Sequence, residues 1–323
     1  MTLAPYVRIL GRGQGRARSM TIDEATGAME AMMAPDAAPE AIGAILMLLR
    51  MKGETAEEIA GFAAGARSSL PDWPGPAPAL DWPTYAAGRS RGLPWFLLAA
   101  RLVAQAGVPV LLHGWNSHQS PGANVRDALP EAGIPRAADI PDAAARLARG
   151  GIVYLPLEAL SPRLMELLRL RDVLGLRSCI NTTLRMLNPA GAPAAVQGVF
   201  HPPYRELQSD AAGILGLKEL TVLKGGGGEF EHHPAKDIAI FGLRDGQSWT
   251  GGTGTLVDAH QRLADAPTEP GALSALWEGR LQDEFAESIV LSTAALALDT
   301  VGATDDGAAM ARALWDDRSR RAA

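Results

Sequence analysis

Leu176-Arg177-Ser178-Cys179-Ile180-Asn181, then Leu187-Asn188-Pro189-Ala190-Gly191-Ala192, then Gln197-Gly198-Val199-Phe200-His201-Pro202 are three ordered blocks in the middle of this chain. Their order and close spacing are hard to explain by chance. Arg177 opens a helical pattern, where a structural ion pair is one reading of it.

Outward from these blocks the chain changes period twice. The N-terminal part reads as short helices. Thr21-Ile22-Asp23-Glu24 and Thr55-Ala56-Glu57-Glu58 both have capping-box spacing. Between them Ile42, Ile45, Leu46 and Leu49 fall on one helical face. Pro71, Pro74, Pro76, Pro78 and Pro83 then mark 69–84 as a crossing between domains. After it, 108–112, 151–155, 220–223 and 237–241 are short apolar runs, separated by helical patterns. Such runs are expected to be buried parallel strands of an α/β sheet. From Gly271 onward the pattern is helical again. Thr250-Gly251-Gly252-Thr253-Gly254 has the composition of a phosphate loop but follows the last strand placed, and reads as a flexible loop.

Composition narrows the class. At 323 residues with 47% apolar content, a sizeable globular core is expected. No apolar run reaches membrane-spanning length, and no secretory pattern opens the chain, so the expectation is cytoplasmic. Cys179 is the only cysteine, which excludes an internal disulfide framework and a Cys-rich zinc site, and it reads as a small buried apolar residue. The net charge of −6 speaks against a polyanion binder, yet the basic residues cluster. Arg8, Arg12, Arg16 and Arg18 precede the first acid, and Arg163, Arg169, Arg171, Arg177 and Arg185 meet only Glu166 and Asp172. Only Lys52, Lys218, Lys224 and Lys236 are lysines among the 30 basic residues. Arginine suits bidentate phosphate contact; a general compositional bias toward arginine is the other reading.

The three central blocks resemble the signature of anthranilate phosphoribosyltransferases (glycosyltransferase family 3, nucleoside-phosphorylase-like), and the likeness runs in order along nearly the whole chain. It implies a small all-helical domain plus a larger α/β domain with a mostly parallel central sheet. The boundaries would be 1–72, completed by helices within about 162–188, and 73–323. It also implies a homodimer pairing through the helical domain. Leu49 to Thr55 is similar to the helix-turn-helix of that domain. Gly107 to Gly114 resembles the family strand ending in Lys-His-Gly, with Leu112 at the lysine position and His113 and Gly114 kept. Residues 120–129 look like the Ser-rich turn and its helix; Ser120 there and Asn116 before it are ligand candidates. Arg177 matches the arginine that pairs with the anthranilate carboxylate.

Other positions depart from the family. Its diphosphate loop, Gly-Thr-Gly-Gly-Asp, falls on Thr84-Tyr85-Ala86-Ala87-Gly88-Arg89, where Cβ atoms occupy the space that backbone N–H groups need for phosphate. Its Asn-x-Ser-Thr falls near Pro94-Trp95-Phe96-Leu97. Its acidic metal motif falls on Lys224 to Glu231, with Phe230 at the aspartate and only Glu231 in register. These departures imply loss of magnesium–phosphoribosyl diphosphate binding, so no cofactor is expected and Mg only if transfer activity is retained.

In their place stand Arg89, Ser90 and Arg91, with Trp95 and Trp115 nearby. Guanidiniums beside aromatics suit phosphate contact plus base stacking. This block resembles a divergent, nucleic-acid-binding branch of the family. The other reading packs Trp95 in the core and turns the arginines to solvent. Ligand candidates are therefore Arg89, Ser90, Arg91, His113, Gly114, Asn116, Ser120, Arg177 and Lys224. Nucleic-acid candidates are Arg12, Arg16, Arg18, Arg89, Arg91, Trp95 and Trp115. Glu229 and Glu231, with His233 on the same side of an extended segment and His232 on the other, are weak metal candidates. Glycines 225–228 suit close approach of a ligand to backbone, or a mobile loop. The leading expectation is a family member binding single-stranded nucleic acid or a phosphorylated small molecule in an Arg/aromatic cleft. The alternative is a divergent glycosyl- or phosphoribosyltransferase with another donor or acceptor.

Overall fold

The structure is a computed structural model that describes residues 2–13, 15–86, 92–115, 124–258, 262, 267 and 269–318. The chain opens with α1 (Ala4–Gly11), α2 (Ile22–Met33), α3 (Pro39–Lys52) and α4 (Ala56–Arg67). Both capping boxes form: Thr21 and Thr55 each accept from the N–H three residues on, while Glu24 and Glu58 reach back. Gly61 and Gly65 let α4 lie against α2, since a Cβ at Gly61 would stand 2.6 Å from Ala25 Cβ and one at Gly65 2.9 Å from Met29 Cβ. Ile42, Ile45, Leu46 and Leu49 are all buried, as their spacing predicts.

The second part runs β1 (Leu80–Thr84), α5 (Phe96–Gln105), β2 (Val110–Gly114), α6 (Val125–Ala132), α7 (Ile140–Gly150) and β3 (Ile152–Pro156). It continues through α8 (Leu157–Leu160), α9 (Pro162–Leu174), α10 (Ile180–Arg185), β4 (Ala194–Val199), α11 (Tyr204–Ile214) and β5 (Glu219–Lys224). The hairpin β6 (Ala239–Arg244) and β7 (Gln247–Gly252) follows, then α12 (Ala272–Trp277), α13 (Glu284–Thr300) and α14 (Gly307–Asp316). The fold is α/β: a helical N-terminal part and a seven-stranded sheet of order β3-β2-β1-β4-β5-β6-β7. β3 to β5 in that order are parallel; β6 and β7 are antiparallel.

Three sequence expectations need correction. The pattern predicts a parallel strand at 237–241, but β6 pairs antiparallel with β5 because a turn from the 225–238 segment, not a crossover helix, precedes it. The Pro-rich 69–84 stretch holds β1, an interior strand of the sheet. Pro83 is tolerated because β1 pairs with β4 only over Leu80 and Asp81, so one flank at Pro83 carries no ladder. Thr250, Gly251 and Gly252 belong to β7, not to a loop.

Strand alternation sorts the core. Leu80, Trp82, Val110, Leu112, Tyr154 and Val196 face α5, α13 and α14, while Leu111, Val153, Leu155, Ala195 and Val199 face the other way, toward α4 and α9–α11. Leu164, Leu167, Leu168, Ile180 and Leu184 share that second core with the N-terminal helices. The parallel register brings Thr84, Gly114, Pro156, Val199 and Lys224 to one edge, the edge where open α/β sheets place ligands.

Candidate functional site

A polar concavity lies where that edge meets the helical part. It is a cavity of about 540 Å³ lined by Arg50, Arg171, Arg177 and Arg185 among others. Each arginine arrives on a different support: Arg50 on α3, Arg171 on α9, Arg177 on the α9–α10 turn and Arg185 at the end of α10. Among the described residues, Glu54 and Asp172 are its only carboxylates, so the lining carries an excess of positive charge. Desolvation, then the neighbouring Arg171 and Arg50, lowers the Arg177 pKa from its ordinary value. A guanidinium stays protonated under such pressure, so the cluster holds repelling cations that an anion relieves. Gln208, 1% exposed, lies in the cavity wall, and its Oε1 lacks a hydrogen-bond partner. Phe200, 47% exposed, stands at the rim edge-to-face with His201.

Arg185 forms the floor. Its Nη1 donates to Asn181 Oδ1 at 2.6 Å and its Nη2 to Tyr85 O at 3.3 Å, and Asn181 Nδ2 donates to the same carbonyl at 3.1 Å. Burial lowers its pKa, and the nearby Glu229 carboxylate opposes that shift.

Next to this floor two carboxylates take up backbone donors. Ala86 N–H donates to Glu229 Oε1 at 3.0 Å. Phe96 N–H, in the first turn of α5, donates to Glu231 Oε2 at 3.0 Å. Both glutamates are buried. The glycine run serves this turn rather than a ligand: a Cβ at Gly198 or Gly225 would collide with the Glu229 backbone, and Gly227 and Gly228 take φ of 65° and 95°. The expected two-sided segment, with Glu229, Glu231 and His233 on one side and His232 on the other, exposes neither side. These residues and His232 turn inward and are buried, and among the described residues no group of three or more His, Cys, Asp or Glu could hold a metal. Phe230 sits edge-on to Trp82 at 5.4 Å in the core.

The predicted residues divide as follows. Arg177 lines the cavity. His113 does not reach it: the ring is wholly buried, its Nδ1 2.9 Å from the Tyr85 hydroxyl and its Nε2 3.1 Å from Asp81 Oδ1. Gly114 is packed against Thr84, where any Cβ would clash, so its role is strand contact. Lys224 is exposed at the end of β5 and outside the cavity. Trp95 is fully buried at the start of α5 and cannot stack on a base, which corrects its nucleic-acid assignment. Trp115 is half-buried against the core. Arg12 and Arg16 are exposed, but Arg18 is committed to Glu24, with 2.6 Å contacts to both carboxylate oxygens. Arg89, Ser90, Arg91, Asn116 and Ser120 lie outside the described residues. Cys179 is free and 2% exposed, and burial pushes its thiol pKa well up, as a structural cysteine requires. Arg50, Arg171 and Gln208 were missed as site residues. Arg171 was visible in the arginine cluster, but no local pattern joins α3, α9 and α11.

A model described as glycosyl transferase family, helical bundle domain, matches residues 4–70. The anthranilate phosphoribosyltransferase of Halobacterium salinarum (strain ATCC 29341 / DSM 671 / R1) is 31% identical over 311 residues, 93% of this chain and 89% of that protein. The protein of that name from Afipia carboxidovorans is 29% identical over 296 residues, 90% of this chain and 87% of its own. The crystal structure of anthranilate phosphoribosyltransferase from Thermus thermophilus is similar with a TM-score of 0.81 at 22% identity, covering 100% of this chain and 97% of that one. The Saccharomyces cerevisiae protein in complex with PRPP and Mg gives 0.78 at 13% identity, over 99% and 93%. At these identities the structural likeness establishes the fold. Among the described residues, no helix is long and apolar enough to cross a membrane.

Proposed function

From the premise that this chain belongs to the anthranilate phosphoribosyltransferase family, we propose that it binds an aromatic carboxylate or phosphate in the four-arginine cavity and does not use magnesium–phosphoribosyl diphosphate in the family's manner. One observation carries the reading. Arg50, Arg171, Arg177 and Arg185 converge on a cavity of about 540 Å³ with an aromatic ring, Phe200, at its rim. Guanidiniums bind carboxylate and phosphate oxygens in pairs, and the ring supplies a face for a planar ligand.

The donor side supports the second half. The donor loop, by resemblance, begins at Thr84, and there Ala86 N–H is taken by Glu229. The first turn of α5 offers a partial positive charge suited to an anion, and Glu231 of the same chain meets it. The described residues at this end of the sheet do not fit a resident magnesium ion. The position of the family aspartate is Phe230 in the core, and the two glutamates spend oxygens on backbone donors. No reaction step is therefore derived through that ion.

A phosphorylated ligand has a second form, a single nucleic-acid strand. The exposed Phe200 in the arginine-lined cavity favours it, as does the exposure of Arg12 and Arg16; the burial of Trp95 counts against the stacking site expected from the sequence. A glycosyl transfer with a different donor is the remaining reading, favoured by family membership. Pairing through the helical part belongs to the same proposal. Met51 on α3 and Val173 on α9 are 84% and 82% exposed, and Leu176 lies just beyond α9 at 46%.

The test is calorimetric titration with anthranilate, inorganic phosphate and a single-stranded oligonucleotide, each against the unaltered chain and Arg177→Ala. Saturable binding of at least one probe, weakened about tenfold or more by the substitution, is expected. No binding of any probe at low salt would overturn the reading.

A further inference from the structure

A second cavity, of about 230 Å³, opens at the opposite end of β4 and shares no lining residue with the arginine pocket. It lies between the C-terminal end of α4, the entry to β4 and the turn after α11. Its inner wall is Asp81, wholly buried, and Gln197, 1% exposed. Both are polar side chains with unspent acceptors. Asp81 Oδ1 is 3.1 Å from His113 Nε2 but outside hydrogen-bond geometry, and neither Asp81 oxygen has a hydrogen-bond partner. Gln197 spends its Nε2 on Arg185 O, while its Oε1 has none. Asp81 Oδ1 at least faces the His113 ring, whereas Asp81 Oδ2 and Gln197 Oε1 are buried acceptors with no donor from this chain, and such groups call for donors from outside it.

The mouth has the opposite sign. Arg67 donates Nε to Leu187 O at 2.7 Å and Nη2 to Met186 O at 3.2 Å, which fixes the guanidinium, and among the described residues Nη1 has no hydrogen-bond partner. Its charge interacts with Asp81. Lys218 is exposed at the same opening. Between the two ends the walls are apolar, formed by Ala195, Ala212 and Leu217 among others.

Acceptors at the bottom, cations at the mouth and an apolar waist match one class of molecule. The geometry points to a binding site for a small apolar α-amino acid, its ammonium group on Asp81 and Gln197 and its carboxylate toward Arg67 and Lys218. The volume agrees: at about 30 Å³ per water-sized group, roughly seven or eight heavy atoms fit, which suits alanine or valine and excludes a nucleotide. A simple amine would leave the mouth cations unanswered, and a simple carboxylate would face Asp81. The site touches both halves of the molecule, since Arg67 ties α4 to the carbonyls before β4.

The experiment is calorimetry with L-valine, isobutylamine and isobutyrate against the full-length chain, Asp81→Asn, Lys218→Ala and Arg177→Ala. L-valine should bind with a dissociation constant at or below about 1 mM, and the two half-ligands should bind at least about tenfold more weakly. Asp81→Asn should abolish binding. Lys218→Ala should weaken it severalfold with an unchanged melting temperature, and this keeps the test decisive if Asp81→Asn fails to fold. Arg177→Ala should leave valine binding intact, which separates this site from the arginine pocket. The proposal is overturned if L-valine gives no heat at about ten times that concentration. Isobutylamine binding as well as valine, or crystals soaked in valine that hold only ordered water in the cavity, would overturn it equally.

Discussion

Glu231 Oε2 accepts a hydrogen bond from the backbone N–H of Phe96 at 3.0 Å, so a carboxylate from the segment after β5 closes the first turn of α5. Trp95 at the N-cap offers no side-chain acceptor, so the cap is tertiary. The chain thereby fills, with its own anion, a helix start suited to an outside one.

The first prediction follows from that bond. Glu231→Ala leaves a buried N–H without its acceptor and should cost roughly 1–3 kcal/mol, read from urea unfolding. Glu231→Gln keeps an amide oxygen in place and should cost less. Equal stability of both variants and the unaltered chain would show that the bond does not hold α5.

Arg177→Ala should weaken any carboxylate or phosphate ligand of the arginine cavity about tenfold or more while leaving the melting temperature within a few degrees. The substitution removes one of several mutually repelling cations, and that relief offsets the contacts the side chain makes. A large fall in melting temperature with unchanged affinity would make the residue structural.

His232 is 1% exposed, and burial, then the neighbouring His233, depresses its pKa to about 4. The unfolded chain binds the proton from about pH 6.5 downward and the folded one only near 4, so its share of stability is complete above 6.5 and lost as pH falls toward 4. The loss should reach about 3 kcal/mol. Replacing His232 by Phe should flatten unfolding free energy against pH in that window. An identical slope in the variant would refute the buried neutral ring.

Much of the architecture was legible because local chemistry dictated it. Thr21 with Glu24 and Thr55 with Glu58 announce helix starts by spacing alone, and both boxes form. β1 was hidden by Pro83 and Asp81, which interrupt the apolar run a buried strand should show. The strand survives because its ladder to β4 ends before Pro83. In the site, Arg177 was reachable through its block, whereas Arg50 and Gln208 join it only through tertiary packing. His113 misled because the family pattern keeps it, although here it lies between Asp81 and Tyr85 inside the core.

Exposed Met51 and Val173 give a further prediction. If copies pair through the helical part, Val173→Glu should shift sedimentation from dimer to monomer without loss of helical signal, since a charge at such an interface is desolvated without a partner. A monomer before the change, or a dimer after it, would remove this face from the account.

The most direct measurement is calorimetric titration of the full chain with phosphoribosyl diphosphate and magnesium. With Glu229 and Glu231 holding the Ala86 and Phe96 donors and Phe230 in the core, no binding is expected at sub-millimolar concentration, taking roughly 1 mM as the weak limit. One site per subunit at about micromolar affinity would contradict the account and return the chain to the family's usual donor.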